Sequence, residues 1–172
     1  ASIPIQLVVT DRQCTAETIA THNNITLKRI ERNSYGKDFD RDTYTCEVRD
    51  ALIDHEIDLI AMAGFGTILN KPIYDDFSNR ILNTHPSLLP SFPGWHAVEE
   101  ALEYGVKVTG CTVHIATEEV DAGPILAQES IPVLKDDTKE TLHERIKTVE
   151  RQLYVDTINK IITTNGQIER DQ

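Results

Sequence analysis

The chain has 172 residues and a net charge of −11. That length suits one domain with a genuine core, and that charge argues against a nucleic-acid partner, because phosphate contacts need a basic surface. With 40% hydrophobic and 26% charged residues, an ordinary soluble globule is expected. No apolar run approaches about 18 residues and no signal-peptide pattern is present. Cys14, Cys46 and Cys111 are odd in number and show no metal-like pairing, which fits a reducing cytoplasm.

Strand-like and helix-like runs alternate. Ile5 to Val9 is a short apolar run ending at Thr10-Asp11, and Ile25 to Ile30 alternates weakly. Tyr44, Val48, Leu52 and His55 lie at helical spacing, and Leu59 to Met62 then reads as a buried strand before Gly64-Phe65-Gly66. Ile81-Leu82 follows. Ala97, Val98, Ala101 and Leu102 line a helix stopped by Gly105. Val108 to Ile115 and Ile125 to Val133 read as longer strands, paired antiparallel. Asp137-Thr138-Lys139-Glu140 has the pattern of a capping box, and Leu142, Ile146, Val149 and Leu153 mark the buried face of the last long helix. Alternating units imply a mostly parallel sheet covered on both sides, with ligands beyond the carboxyl ends of its strands. Residues 1–162 are expected to form a single domain and residues 163–172 a polar tail.

The chemistry concentrates in two segments. Asn83-Thr84-His85-Pro86-Ser87-Leu88-Leu89-Pro90 is followed, 36 residues after His85, by Glu119-Val120-Asp121-Ala122-Gly123-Pro124. In an extended stretch alternate residues point the same way, so Asn83 and His85 should face one side. Pro86 biases His85 away from helical dihedrals. The amide can donate to a developing oxyanion; the imidazole can do the same or carry a proton, and a carboxylate beside it would hold it charged. Each residue alone also fits a plain turn or strand end. His114 reads as structural, and His96 as a supporting group or the start of a helix.

Taken together, Asn-x-His-Pro-Ser-Leu-Leu-Pro and the distant Asp-x-Gly-Pro-Ile resemble the folate-dependent formyltransferase superfamily, most closely its glycinamide ribonucleotide (GAR) branch. The likeness runs from about Ile5 to about Ile162, with Leu88 to Gly94 and Gly110-Cys111-Thr112-Val113-His114 adding to it. It implies a Rossmann-like α/β formyltransferase fold, with antiparallel strands near the C-terminal half of a mostly parallel twisted sheet. It implies formyl transfer from 10-formyltetrahydrofolate, a co-substrate, to the amine of GAR, with Asn83, His85 and Asp121 as catalytic residues and no metal. Phe65, Gly66, Thr67, Ile68 and Leu69, together with Ala116, Thr117, Glu118, Glu119 and Val120, would contact the folate. Gly64, Thr84, Pro86 and Glu150 would contact GAR. The same likeness places a cis peptide at Leu89-Pro90. Small-molecule substrates, a monomer or homodimer, and no membrane or nucleic-acid partner complete the expectation.

The sequence departs from the family at its front. Family members open with a strand and a turn, Gly-x-Gly-Ser-Asn, whose backbone N–H groups hold the ribonucleotide phosphate. Here the chain starts at Ala1 with what reads as the second strand, and no Gly-rich turn precedes Gly36. A sheet lacking the family's first strand is therefore expected, with weaker phosphate anchoring, each charge-assisted phosphate bond being worth roughly 1.5–3 kcal/mol. Gly66-Thr67 also stands where relatives often carry Met-Arg. The rival readings are a formyltetrahydrofolate hydrolase, a sugar-nucleotide N-formyltransferase, and a non-catalytic relative that keeps only the folate site.

Overall fold

A computed structural model describes residues 3–34 and 36–164. They divide into two compact units that meet in sequence at Ile81/Leu82.

In the first unit, β1 (Leu7–Thr10) pairs in parallel with β2 (Thr26–Arg29), and Leu7 stands opposite Thr26. The connecting helix α1 (Thr15–His22) had no clear signal in the sequence. Its N-cap, Cys14, makes no side-chain cap bond, and the pattern that would mark its start is weak. Helix α1 buries Ala20 and is tied to the strands by polar bonds as well. Glu17 is buried and takes a bidentate pair from Arg29, with Nε at 2.6 Å and Nη2 at 2.5 Å, and a third bond from Thr10 Oγ1 at 2.8 Å. These donors, Arg29 first, hold its carboxyl below the usual range.

Helix α2 (Arg41–Asp54) buries Tyr44, Val48 and Leu52 at the spacing read from sequence, and Asp40 caps it by accepting from Thr43 N. Burial pushes the Tyr44 phenol up to about 12, and its hydroxyl donates to Ile30 O at 3.1 Å. The run Leu59 to Met62 is not a buried strand. Strand β3 is only Ile60–Ala61, with Ile60 half-buried and Ala61 exposed. Apolar composition signals a strand but does not fix how many of its faces are covered. The six-residue α3 (Lys71–Asp76) is too short to show a periodic pattern and went unread in sequence.

The second unit is an antiparallel sheet under helices. Strand β4 (Ile81–His85) pairs antiparallel with β5 (Val108–Ile115), and β5 pairs antiparallel with β6 (Ile125–Pro132). Helix α4 (Ala97–Tyr104) ends at Gly105, whose φ of 80° suits glycine. Its Val98 joins Cys111, Ile131, Leu142 and Ile146 in one core, flanked by Leu102, Val133, Val149 and Leu153. Helix α5 (Lys139–Thr163) supplies the other side of that core. Tyr154 is anchored by donating to Leu82 O at 3.0 Å.

The capping box at the start of α5 sits one residue later than expected. Thr138 is the N-cap and exchanges bonds with Thr141, because Asp137 is taken up by Arg145 and by Leu134 N. Helix α5 reaches Thr163, so the expected tail from residue 163 begins within it. Residues 165–172 lie outside the described residues. Among the described residues no helix is long and apolar enough to cross a membrane.

Asp137 makes the start of α5 pH-sensitive. Arg145, followed by the bonds from Leu134 N and Thr141, holds its carboxyl down to about 2, against about 3.9 in an unfolded chain. The folded value is the lower one, so the contribution is complete above about pH 4 and is lost as the pH falls toward 2. Asp137→Asn should therefore melt at a lower temperature than the parent at pH 7. Thermal melts at successive pH values should show that gap closing toward pH 2.

Candidate active site

The pairing of β4 with β5 brings the chemistry together. Asn83 stands opposite His114, and His85 opposite Thr112. Asn83 Nδ2 lies 3.3 Å from His114 Nε2, and His114 Nδ1 lies 3.0 Å from Ile115 O. A carbonyl only accepts, so the Nδ1 of His114 carries the proton. Its Nε2 is then left with a lone pair to accept an N–H of Asn83, which sets the orientation of the amide. Burial lowers the His114 pKa, against weaker opposing pulls from the hydrogen bond to Ile115 O and then from Asp121. Sequence reading had made His114 structural. Nothing in its strand context distinguishes it, and only the register across the sheet sets it against Asn83.

His85 is buried at the carboxyl end of β4. Its Nε2 lies 2.7 Å from Phe92 O and its Nδ1 lies 3.2 Å from Asp121 Oδ2. Both neighbours are acceptors, so only an imidazolium donates to both. Asp121 is equally enclosed, its side chain 6% exposed against 5% for His85. The same Oδ2 accepts from Gly94 N at 2.8 Å, and Oδ1 lies 3.6 Å from His114 Nε2. A buried carboxylate thus faces a buried imidazole, held in place by a backbone N–H.

The backbone around this pair is unusual where the side chains require it. Asp121 has φ 57° and Phe92 φ 52°, in the left-handed region. Gly123 permits the Asp121 turn to close on β5, since a Cβ there would sit 1.8 Å from Ile115 O. Ile115 N in turn donates to Pro124 O at 2.9 Å. The Leu89–Pro90 peptide is cis, as the resemblance implies.

Asn83 and His85 end differently placed. Asn83 is half-buried, and among the described residues its second N–H and its carbonyl oxygen hold no further bond. It has a free donor to offer a negative oxygen. Both ring nitrogens of His85 are engaged, so it must release Phe92 O or Asp121 before it can donate elsewhere.

The other expected site residues fall into two sets. In the second unit, Thr84 and Pro86 flank His85 and are half-buried; Ala116 and Thr117 are half-buried, and Glu118, Glu119 and Val120 are exposed. Thr117 Oγ1 donates to Glu119 O, which tightens that loop. Glu150 is half-buried on α5 and is not bonded to the cluster. His96 is the exposed N-cap of α4, its Nδ1 2.6 Å from Glu99. In the first unit, Gly64 has φ 63° and is exposed, while Phe65, Gly66 and Ile68 are half-buried. Thr67 and Leu69 are buried, and Thr67 donates to Asp11 Oδ2 at 3.3 Å. Their side chains are turned inward, so a ligand would meet these two positions through backbone.

Comparison with known proteins places the chain in a family. Residues 2–158 match the family described as formyl transferase. The chain is 45% identical over 153 residues to phosphoribosylglycinamide formyltransferase of Mycobacterium tuberculosis, covering 89% of this chain and 70% of that protein. Among solved structures, phosphoribosylglycinamide formyltransferase from Bacillus halodurans superposes with a TM-score of 0.87 at 33% identity, over 97% of this chain and 86% of the other. Glycinamide ribonucleotide transformylase 1 from Symbiobacterium toebii does so with a TM-score of 0.83 at 38% identity, over 88% and 71%. With the family matched over nearly its whole length, the chain belongs to the formyl transferases.

Proposed function

We propose that this chain transfers the formyl group of 10-formyltetrahydrofolate to the amine of GAR. The observation that carries the reading is the buried His85–Asp121 pair beside an Asn83 amide with an N–H to spare. Attack of the amine on the formyl carbon makes a tetrahedral centre whose oxygen becomes negative. Asn83 supplies a fixed donor to that oxygen, which is the kind of preorganised group that favours a transition state over a ground state. When protonated, His85 adds a positive field, and the Asp121 carboxylate stands opposite its Nδ1. The nitrogen must lose a proton as the leaving amine gains one. Asp121 and His85, ion-paired and beside His114, are the groups able to exchange it.

On this reading Phe65 to Leu69 and Ala116 to Val120 hold the folate, and Gly64, Thr84, Pro86 and Glu150 hold GAR. The substrates are small molecules and no metal takes part. A reducing cytoplasm, with the protein as a monomer or homodimer, belongs to the same reading. Cys14, Cys46 and Cys111 are free thiols, which suits such a compartment.

The test follows loss of 10-formyltetrahydrofolate with GAR present and with no acceptor. Formylated GAR accumulating well above the no-acceptor rate is expected. Equal consumption in both arms, with free formate as the product, would instead show a hydrolase, and no consumption in either would show a binder.

A further inference from the structure

We propose that Gln128, on the outer strand of the antiparallel sheet, is a positioning residue for His85, acting through the 87–94 loop. The proposal rests on the reading above, that His85 serves formyl transfer. Both groups that hold the imidazole depend on this loop: Phe92 supplies the carbonyl for Nε2, and Gly94 supplies the N–H that holds Asp121. The loop's own backbone is tied at its start to one hydroxyl. Thr112 Oγ1, fully buried, donates to Ser87 O at 2.7 Å and accepts from Leu89 N at 3.0 Å. Its remaining lone pair takes Gln128 Nε2 at 2.9 Å. The same Gln128 amide donates to Leu89 O at 2.9 Å.

Leu89 is thereby held at both its N–H and its carbonyl, from two neighbouring strands. Ser91 N then closes a turn onto Leu88 O, and Ser87 Oγ reaches Ser91 O at 2.5 Å. The next residue is Phe92. Its left-handed φ is one a bulky side chain adopts only under constraint, and the ties at Leu89 and Ser91 provide it. Gln128 itself is exposed, so its loss opens no cavity; what it contributes is the direction of a backbone three residues from the carbonyl that holds His85.

The test uses the full chain and two variants. Gln128→Leu removes the donor, and Gln128→Glu keeps the shape but turns an acceptor toward Leu89 O. Each should lower kcat for GAR formylation by about ten- to a hundredfold, the scale of small misplacements of catalytic groups. The KM for the formyl donor should stay within about twofold and the melting temperature within a few degrees. On a His85→Ala background, Gln128→Leu should cost nothing further, since two residues acting through one group are not additive. In 15N NMR the His85 Nε2–H should exchange with solvent faster in both variants. An unchanged kcat, an equal loss on both backgrounds, or an unchanged exchange rate would overturn the role. If His85→Ala itself leaves GAR formylation intact, it is the functional reading that fails, and the exchange measurement still judges Gln128.

Discussion

Replacing Asn83 by Ala should lower the turnover of formyl transfer by about 10²–10³, or ~2.7–4 kcal/mol of transition-state stabilisation, the usual cost of one oxyanion donor. The geometry makes this half-buried residue the donor of the cluster that still has an N–H to offer. One of its N–H groups is spent on His114 Nε2, which fixes the amide plane, and the other is free. A fixed plane matters because an amide that must first rotate spends part of its binding energy on ordering itself. His85→Ala should cost at least about a hundredfold by a different route, through loss of the positive field and of proton exchange. In both variants the affinity for the folate should be nearly unchanged, since the charge they serve exists only in the transition state. Steady-state kinetics with GAR varied, together with direct measurement of folate binding, separates the two. A loss confined to KM would remove the proposed roles.

Asp121→Asn should leave the fold intact while lowering turnover by about 10²–10⁴, the range assigned to positioned acid–base groups. The new side chain has the same shape, and its carbonyl can still accept from Gly94 N, so the loop keeps its anchor. What disappears is the negative charge opposite His85, with both side chains almost fully enclosed. Without that carboxylate the ring loses the acceptor at its Nδ1, and the reaction loses one of the two groups able to carry its proton. Unchanged circular dichroism alongside the kinetic loss is the expected result. A variant of near-normal rate would show that the pair is structural.

The sequence alone determined most of what is periodic and most of what is chemical. Tyr44, Val48 and Leu52 declare α2, Gly105 declares the end of α4, and the two long runs declare β5 and β6, because burying one side imposes a repeat that the residues must carry. Asn83, His85 and Asp121 stood out as candidates only through their joint pattern and the family resemblance it carries, since each alone also fits a turn or a strand end. Elements without such a repeat stayed hidden: α1 lacks a side-chain cap bond, α3 is six residues long, and β3 shrinks to two. The tertiary structure alone decided everything that depends on register. A single step in the β4–β5 pairing would remove His114 from Asn83, and no local pattern encodes that step. It decided, too, that Thr138 and not Asp137 caps α5, because Arg145, two turns on, had already claimed the carboxylate. It decided that both His85 nitrogens are engaged, since Phe92 O arrives by a left-handed turn that its own side chain disfavours and that only the bonds around Leu89 and Ser91 impose. Local patterns report how each segment meets water; which groups meet each other is settled by the packing of segments far apart in the chain.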